Sequence, residues 1–559
     1  MITVTRPSMA ESPATPWWRT AVVYQIYIRS FADADGDGMG DVAGIRSRLP
    51  YLRRLGVDAV WITPWYPSPM RDGGYDVADY TGVDPLFGSV EEAEALFAEA
   101  HAAGLRVLLD LVPNHTSTAH PWFSEALSAG PGSAARRRYV FRRGRGAGGA
   151  EPPNAWTSIF GGPAWTRVVE PAGQLGEWYL HLFDPGQPDL EWRSPEVRRA
   201  FEDVLRTWFG RGADGFRIDV ASGLFKDYSL PAMPPPPDPA SGRYVAPDHP
   251  TLDRRGLHPL YRRWRAIADA EDPPRVLLGE LHVADAGRLA RYLRRDELHG
   301  AFNFPFLRSP WQADRLRRVI DETFEALAPV GATPSWVLNC HDETRTVTRY
   351  GRPHTGIRDR AVDDGQPCDV ALGRRRARAA ALLQLALPGV ANLYQGEELG
   401  LPEVEDLPEA ALADPVWERS GHTIRGRDGC RVPLPWSGDA APYGFGPLGS
   451  APWLPQPRVW ASLSVAAQES DAGSTLALYR AALQLRRSHP GLAGPGFRWI
   501  ELGRDDALEF EREAGLRCAV NFGPEPLRLP AGAAVLVRSD GPRAAGPLPR
   551  DAAAWYLAR

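Results

Sequence analysis

The chain is poor in cysteine: it has four among 559 residues, Cys340, Cys368, Cys430 and Cys518, with none of the short pair spacings that hold a metal. This argues against a disulfide-built secreted scaffold and suits a reducing compartment, so a cytoplasmic location is expected. Long apolar runs are missing as well. None approaches the roughly 20 residues of a membrane span, and the first twenty residues hold no apolar signal-peptide core. Net charge is small, −5 for the whole chain, and gives no reason to expect nucleic acid or an anionic membrane as a partner. An Arg-rich stretch, residues 136–145, runs into GRGAGGAEPPN and reads as a mobile solvated loop. No internal repeat occurs beyond an alternation of strand and helix patterns.

What the chain does have is a series of polar groups placed where apolar runs stop: Asp76, His115, Arg217 with Asp219, Glu280, and His341 with Asp342. Residues 106–112 (RVLLDLV) are too short for a helix and deliver Asn114 and His115. Residues 215–220 (GFRIDV) deliver Arg217 and Asp219, two apart and so on one face of a strand. Residues 275–281 (RVLLGEL) deliver Glu280, and residues 335–342 (SWVLNCHD) deliver His341 and Asp342. Helical patterns lie between them. Val197, Phe201, Val204, Leu205, Trp208 and Phe209 recur at one-face spacing after Ser194-Pro195 and before Gly210 and Gly212. Strand followed by helix, repeated, calls for a parallel sheet with right-handed crossovers, and polar groups at successive strand ends are how a (β/α)₈ barrel builds a site. Eight barrel strands are expected near 21–28, 57–63, 106–112, 215–220, 275–281, 300–304, 335–342 and 390–396.

A barrel takes roughly 250 residues, so 559 leave room for added modules. The stretch between 113 and 189 is longer than a βα loop and is expected to be an inserted domain. The barrel then comprises 17–112 and 190–488, with a helix near 475–488. Residues 489–559 turn to short β-like pieces (FRWIEL, ALEFER, RCAVNF, AVLVRS) and are expected to form a small β-sandwich. The proline-rich SLPAMPPPPDPASG at 229–242 should be an extended loop over the site.

DLVPNHTS (110–117), GFRIDVA (215–221), LGEL (278–281) and NCHDE (339–343) fall in the order and spacing of the four signature regions of the α-amylase family, glycoside hydrolase family 13, which the chain resembles from about Trp17 to its end. QPDLEW (187–192) and GRDGCRVPLPW (426–436) resemble segments of the branch that holds α-glucosidases and oligo-1,6-glucosidases. The resemblance implies a TIM barrel with a domain inserted after the third strand and a retaining, exo-acting α-glucosidase favouring α-1,4 links. A transglucosylase or an oligo-1,6-glucosidase is the alternative. It implies Asp219 as nucleophile, Glu280 as general acid/base and Asp342 as a third carboxylate gripping sugar hydroxyls. It also implies Arg217 holding the nucleophile ionised, and Tyr75, Asp76, His115, His341 and Arg431 lining the terminal glucose subsite. Tyr75, beside Asp76 after two glycines, has a ring suited to stacking on a sugar face.

The chemistry asks for these groups. A glycosidic bond breaks through an oxocarbenium-like transition state, so a carboxylate must face the anomeric carbon while a protonated acid serves the leaving oxygen. Arg217 should lower the pKa of Asp219, and Glu280, after an apolar run, should hold its proton. Zinc is the rival for the histidines, but neither shows the paired spacing of a zinc site. His101, His181 and His299 read as ordinary packed or surface residues. Asp33, Asp35, Asp37 and Asp41 alternate with small residues in DADGDGMGD, an oxygen-rich loop suited to Ca²⁺ or Mg²⁺. It resembles the branch's divalent-ion loop, in which the Met39 carbonyl also serves; the ion would be structural. Three positions depart from the family pattern: Cys340 stands for asparagine, Glu191 for the asparagine of QPDLN, and Ser222 for histidine. Cys340 beside a sugar-binding histidine suggests inhibition by thiol reagents, unless the thiol is buried and inert. The expected partner is a small oligosaccharide or α-glucoside, with the protein a monomer or homodimer. A sugar-binding scaffold on an inactive barrel is the reading from another class, and the retained carboxylates speak against it.

Overall fold

The computed structural model describes residues 16–235, 245–357, 366–542 and 544–558. Eight short parallel strands form one sheet: β1 (Val22–Ile26), β2 (Ala59–Ile62), β3 (Arg106–Leu111), β4 (Gly215–Ile218), β5 (Val276–Gly279), β6 (Gly300–Ala301), β7 (Ser335–Val337) and β8 (Val390–Tyr394). Neighbours in the sheet are neighbours in sequence, and β8 pairs back onto β1 with Val22 opposite Ala391. The remaining gap, between β6 and β7, is bridged by the Asn303 N–H donating to the Ser335 carbonyl at 3.0 Å. The sheet is thus nearly closed, as a (β/α)₈ barrel requires.

All eight strands fall inside the expected ranges and each is shorter than its range, proportionally most at β6 and β7. β6 stops at Ala301 because Asn303 caps a short helix, Phe304–Arg308, accepting from the Phe306 N–H at 3.0 Å, with Pro305 in its first turn. β7 stops at Val337, and residues 338–342 leave the ladder to carry polar side chains into the mouth of the barrel. The helix Pro195–Arg211 buries the whole apolar stripe from Val197 to Phe209 and ends at Gly212, whose φ of 116° suits glycine. Ser194 occupies the N-cap position without a side-chain cap bond.

Between β3 and β4, strands Phe141–Arg142, Leu175–Leu180 and Trp165–Val169 form a three-stranded antiparallel sheet with its own core of Val140, Trp156, Trp165, Leu180 and Leu182. The basic stretch that begins there is anchored rather than free. Arg136 is buried against Glu170, 2.8 Å away, and Arg138 reaches Glu196 at 2.8 Å. Of the proline-rich segment, residues 229–235 carry no regular structure, and 236–242 lie outside the described residues.

The helix Thr475–Ser488 precedes a five-stranded antiparallel sheet near the C-terminus. Its strand Ala552–Leu557, AAAWYL, was not singled out in the sequence, because alanine carries little β preference. One face lies on the barrel helix Val370–Ala386, where Trp555 donates to the Leu382 carbonyl at 3.0 Å. The other is covered by a small cluster around Leu527, Leu548 and Tyr556. No helix among the described residues is long and apolar enough to cross a membrane.

Candidate active site

The polar groups meet at the C-terminal ends of the strands, around one buried guanidinium. Arg217, on β4, sends Nη1 to Asp219 Oδ1 (2.6 Å) and to Asp110 Oδ1 (3.1 Å), and Nη2 to Glu280 Oε2 (2.9 Å). Asp219 continues the ladder just past β4, its N–H on the Leu111 carbonyl, and Glu280 does the same past β5, its N–H on the Ile218 carbonyl. The next residue, Val220, has φ of +45°, strained backbone for a β-branched side chain, and this turn aims its N–H at Glu280 Oε2, 2.9 Å away.

Asp110 was quoted in its motif but not picked as a site residue. On β3 it stands opposite Arg217 and takes the Tyr75 hydroxyl at 2.9 Å and the Trp61 indole N–H at 3.2 Å. A carboxylate in the apolar run RVLLDLV was the signal available.

Three buried carboxylates on one cation cannot all be charged. Burial pushes Asp219 well up, against the pull of Arg217, and raises Asp110 to about 7. Glu280 goes the other way: despite burial, Arg217 and His282 bring it down to about 2. Burial thus favours the protonated forms of Asp110 and Asp219, while Arg217 and His282 favour the ionised form of Glu280. This reverses the pKa order expected from the sequence, because the second guanidinium nitrogen and the Val220 N–H both face Glu280.

A second cluster forms the opposite wall. Arg427 donates to Asp342 (3.0 Å), Asp72 (2.8 Å) and Asp414 (2.6 Å), and Arg431 reaches the same Asp342 oxygen at 3.1 Å. His341, with the two arginines, holds Asp342 far below the ordinary carboxylate range in spite of its burial. His341 stacks with Tyr75 (centroids 5.3 Å apart, 8° between planes) and Tyr27 (5.6 Å, 24°), and its Nδ1 lies 2.6 Å from Gln25 Nε2. Burial lowers it to about 3. Gly74 makes the approach of Tyr75 possible: its φ is +103°, and a Cβ there would lie 2.8 Å from the Pro64 carbonyl oxygen.

His115 joins the group from the β3 loop, with Nε2 3.0 Å from the Tyr75 carbonyl and 3.1 Å from Gln187 Nε2, and burial lowers it to about 4. Its ring meets Phe183, which packs with Phe160, and Phe160 faces Arg427; the insertion thus supplies an aromatic side to the pocket.

Asp76 is the residue whose placement differs from expectation. It is fully buried and saturated by the Ser68 hydroxyl and the N–H groups of Arg71 and Asp72, so it shapes the loop and leaves the pocket to Asp72. Asp72, raised to about 6 by burial against the pull of Arg427, and Arg427 itself were not picked from the sequence. Nothing local separates Asp72 from Asp76, or Arg427 from Arg431; only the folded chain does.

The chain has a single lysine, Lys226, and it is fully buried. Its Nζ meets Asp189 Oδ2 (2.7 Å), Asn114 Oδ1 (2.6 Å) and the Gly223 carbonyl (2.8 Å). Three acceptors match the three donors of an ammonium, and the contact ties the end of the insertion to the loop after Asp219.

Ser222 is buried and accepts the His282 N–H at 3.0 Å, and Glu191 is held by Arg193 at 2.7 Å, so both departures act through neighbouring backbone and charge. Cys340 is half-buried beneath the site with Trp61, Phe302 and Asp342. Burial, with the Asp342 and Glu343 carboxylates beside it, pushes its thiol well above the ordinary value. The inert alternative is therefore favoured. Excess iodoacetamide at pH 7.5 should leave activity unchanged, and a loss that glucose protects against would contradict this.

His101, His181 and His299 have structural partners: Asp214 (2.7 Å), the Thr166 hydroxyl (2.9 Å) and the Leu277 N–H (3.1 Å). In the acidic loop, carboxylate oxygens of Asp33, Asp35 and Asp37 lie within 4.8 Å of one another. Asp41 is turned to other work, capping the helix Val42–Leu55 through the Gly44 N–H and taking the Ala34 N–H at 2.8 Å. The Met39 sulfur lies 3.4 Å from Arg29 Nε. An all-oxygen set this close suits a hard divalent cation.

Comparison with known proteins agrees with this architecture. Residues 25–494 match the alpha amylase catalytic domain, and residues 495–555 match a domain of unknown function, DUF3459. The chain is 38% identical over 537 residues to a probable alpha-glucosidase of Rhizobium meliloti (strain 1021), covering 92% of this chain and 90% of that one. It is 33% identical over 508 residues to an oligo-1,6-glucosidase of Parageobacillus thermoglucosidasius, covering 85% and 84%. Among solved structures, the alpha-glucosyl transfer enzyme XgtA superposes with a TM-score of 0.83 at 36% identity, covering 98% of this chain and all of that one.

Proposed function

The chain belongs to the α-amylase family of glycoside hydrolases, and from that premise we propose that it is a retaining, exo-acting α-glucosidase, releasing terminal α-d-glucose from short α-glucosides with α-1,4 links favoured. One observation carries the chemistry: a single guanidinium bridges Asp219 and Glu280. Sharing one cation supports a pair close enough for retention, in which one carboxylate attacks the anomeric carbon directly.

In this reading Asp219 attacks the anomeric carbon as the glycosidic C–O bond breaks, and Glu280 gives a proton to the leaving oxygen. Water then loses a proton to Glu280 and displaces Asp219, restoring the α anomer. For Glu280 to serve as the acid, substrate entry must relieve the pull of Arg217 and His282 that favours its ionised form. Asp342 and Asp72, backed by Arg427 and Arg431, accept sugar hydroxyls, while Tyr75, His115 and His341 shape the subsite for one terminal glucose. The small α-glucoside is the partner; the scarcity of cysteine supports a cytoplasmic workplace.

Transfer is the second reading, favoured by the likeness to XgtA across nearly the whole chain, since an alcohol can compete with water for the same intermediate. A chromatographic time course on maltose, maltotriose and isomaltose, with and without an alcohol acceptor, separates these readings. Glucose from maltose and maltotriose, little changed by acceptor, is the expected result. Early foreign glucosides would move the assignment to transfer, and cleavage of isomaltose alone to an oligo-1,6-glucosidase.

We also propose that Asp33, Asp35 and Asp37 hold a structural Ca²⁺ or Mg²⁺ with the Met39 carbonyl, while Asp41 braces the loop through the Ala34 and Gly44 N–H groups instead of binding the ion; the hydrolysis needs no metal. Chelation should lower the thermal midpoint and re-added Ca²⁺ restore it, by about 2.7 kcal/mol at a hundredfold excess over Kd, with kcat at 25 °C unchanged. Identical melting with and without chelator would remove the ion from the account.

A further inference from the structure

His282 lies two residues beyond Glu280 and is held on two sides. Its N–H donates to the buried Ser222 hydroxyl at 3.0 Å, fixing this loop to the segment that follows Asp219. Its ring stacks on Phe304 of the short helix after β6, with centroids 4.5 Å apart and planes at 21°. These contacts bring Nε2 to 3.5 Å from Glu280 Oε1.

The two oxygens of Glu280 are therefore unlike. Oε2 is committed to the floor of the site, with Arg217 Nη2 and the Val220 N–H both at 2.9 Å. Oε1 has His282 as its partner among the described residues, and the imidazole is partly open to solvent, with 29% of the side chain exposed. Oε1 is thus the oxygen left for an aglycone and for water.

We infer that His282 is a positioning residue for the acid/base work of Glu280, holding Oε1 as the oxygen that exchanges the proton. The inference rests on the α-glucosidase reading. In the first step the Oε1 proton passes to the glycosidic oxygen, which keeps the electron pair of the breaking C–O bond. Glu280 is left as a carboxylate, and an imidazole N–H on Oε1 stabilises the charge that appears there. In the second step Oε1 takes a proton from water or an acceptor hydroxyl, and the same contact resets. A separation of 3.5 Å is the loose form of a contact that tightens once substrate fills the site. The charged groups around Glu280 and His282 are Arg217, Asp219, Asp110 and Asp342, and on the Phe304 side the Arg308 guanidinium lies 5.5 Å from the ring centroid. Ser222 belongs to this device, since its hydroxyl sets the backbone that presents the ring.

The test compares His282→Ala and His282→Gln with wild type on two substrates, following kcat/KM, which reports the glycosylation step. Maltose must lose an alkoxide and needs the proton, whereas 4-nitrophenyl α-glucoside loses a stabilised phenolate and needs it little. His282→Ala should lose about 10- to 100-fold on maltose and stay within ~3-fold on the nitrophenyl substrate. His282→Gln, which keeps an N–H donor, should recover part of the maltose loss. Glu280→Gln serves as the control and should show the same split, larger. Equal losses on both substrates, or none on either, would overturn the role of His282. Wild type that cleaves neither would overturn the function itself.

Discussion

Asp219→Ala should lower kcat on maltose by on the order of 10⁴-fold or more, while the protein stays folded and still binds glucose. The fold survives because Asp110 and Glu280 continue to neutralise Arg217, at 3.1 and 2.9 Å. The loss is large because no other carboxylate is aimed from the end of β4; Asp110 lies one strand over, engaged with Tyr75 and Trp61. The space left by the deleted side chain suits a small anion. Azide added to the variant should attack from the face Asp219 occupied and yield β-glucosyl azide, detectable by chromatography with an activated aryl glucoside as donor. A variant within tenfold of wild type would remove Asp219 from the nucleophile's role and with it the covalent route.

The second large effect concerns Arg217. Replacing it by Met leaves Asp110, Asp219 and Glu280 buried with no cation among them, a situation that costs about 3–5 kcal/mol when one partner of a buried pair is removed. Activity should fall with it, because no cation is left to favour the anion that Asp219 must become before it attacks the anomeric carbon. The stability deficit should depend on pH in a definite direction. In wild type the depressed Glu280 contributes stability that is present above the unfolded carboxyl value and lost as pH falls toward about 2. Asp110, raised to about 7, acts oppositely, favouring the fold below the unfolded value and losing that as pH rises through 7. Without the guanidinium all three carboxylates behave as Asp110 does. The gap in thermal midpoint between Arg217→Met and wild type should therefore be widest near pH 8 and shrink toward pH 5. A constant gap would mean that the loss is one of packing rather than of charge.

Most of the barrel was legible because the buried strands carry short, bounded apolar runs and the helices keep one-face periodicity, as in residues 106–112 and 195–211. Three kinds of feature were not. Strand ends were overextended at β6 and β7, where Asn303 starts a helix and polar residues after Val337 leave the ladder, choices decided by side-chain partners rather than propensity. Asp76 and Asp72 carry the same chemistry four residues apart, and only the turn through Gly73 and Gly74 determines which one faces Arg427 and which one the loop's own N–H groups. Finally, the protonation order of Asp219 and Glu280 depends on the direction of both nitrogens of Arg217. Sequence shows that Arg217 and Asp219 share a strand face; it does not show that Arg217 also spans to Glu280 on the next strand.

The central claim is retention through a glucosyl-enzyme at Asp219, and proton NMR of the first glucose released from 4-nitrophenyl α-glucoside, whose only sugar is the transferred one, tests it most directly, read before mutarotation sets in. The α-anomeric signal should appear first and the β signal grow only at the rate of spontaneous mutarotation. Initial release of β-glucose would show a single inverting displacement, and would contradict both the covalent intermediate and the pairing of Asp219 with Glu280 on which it rests.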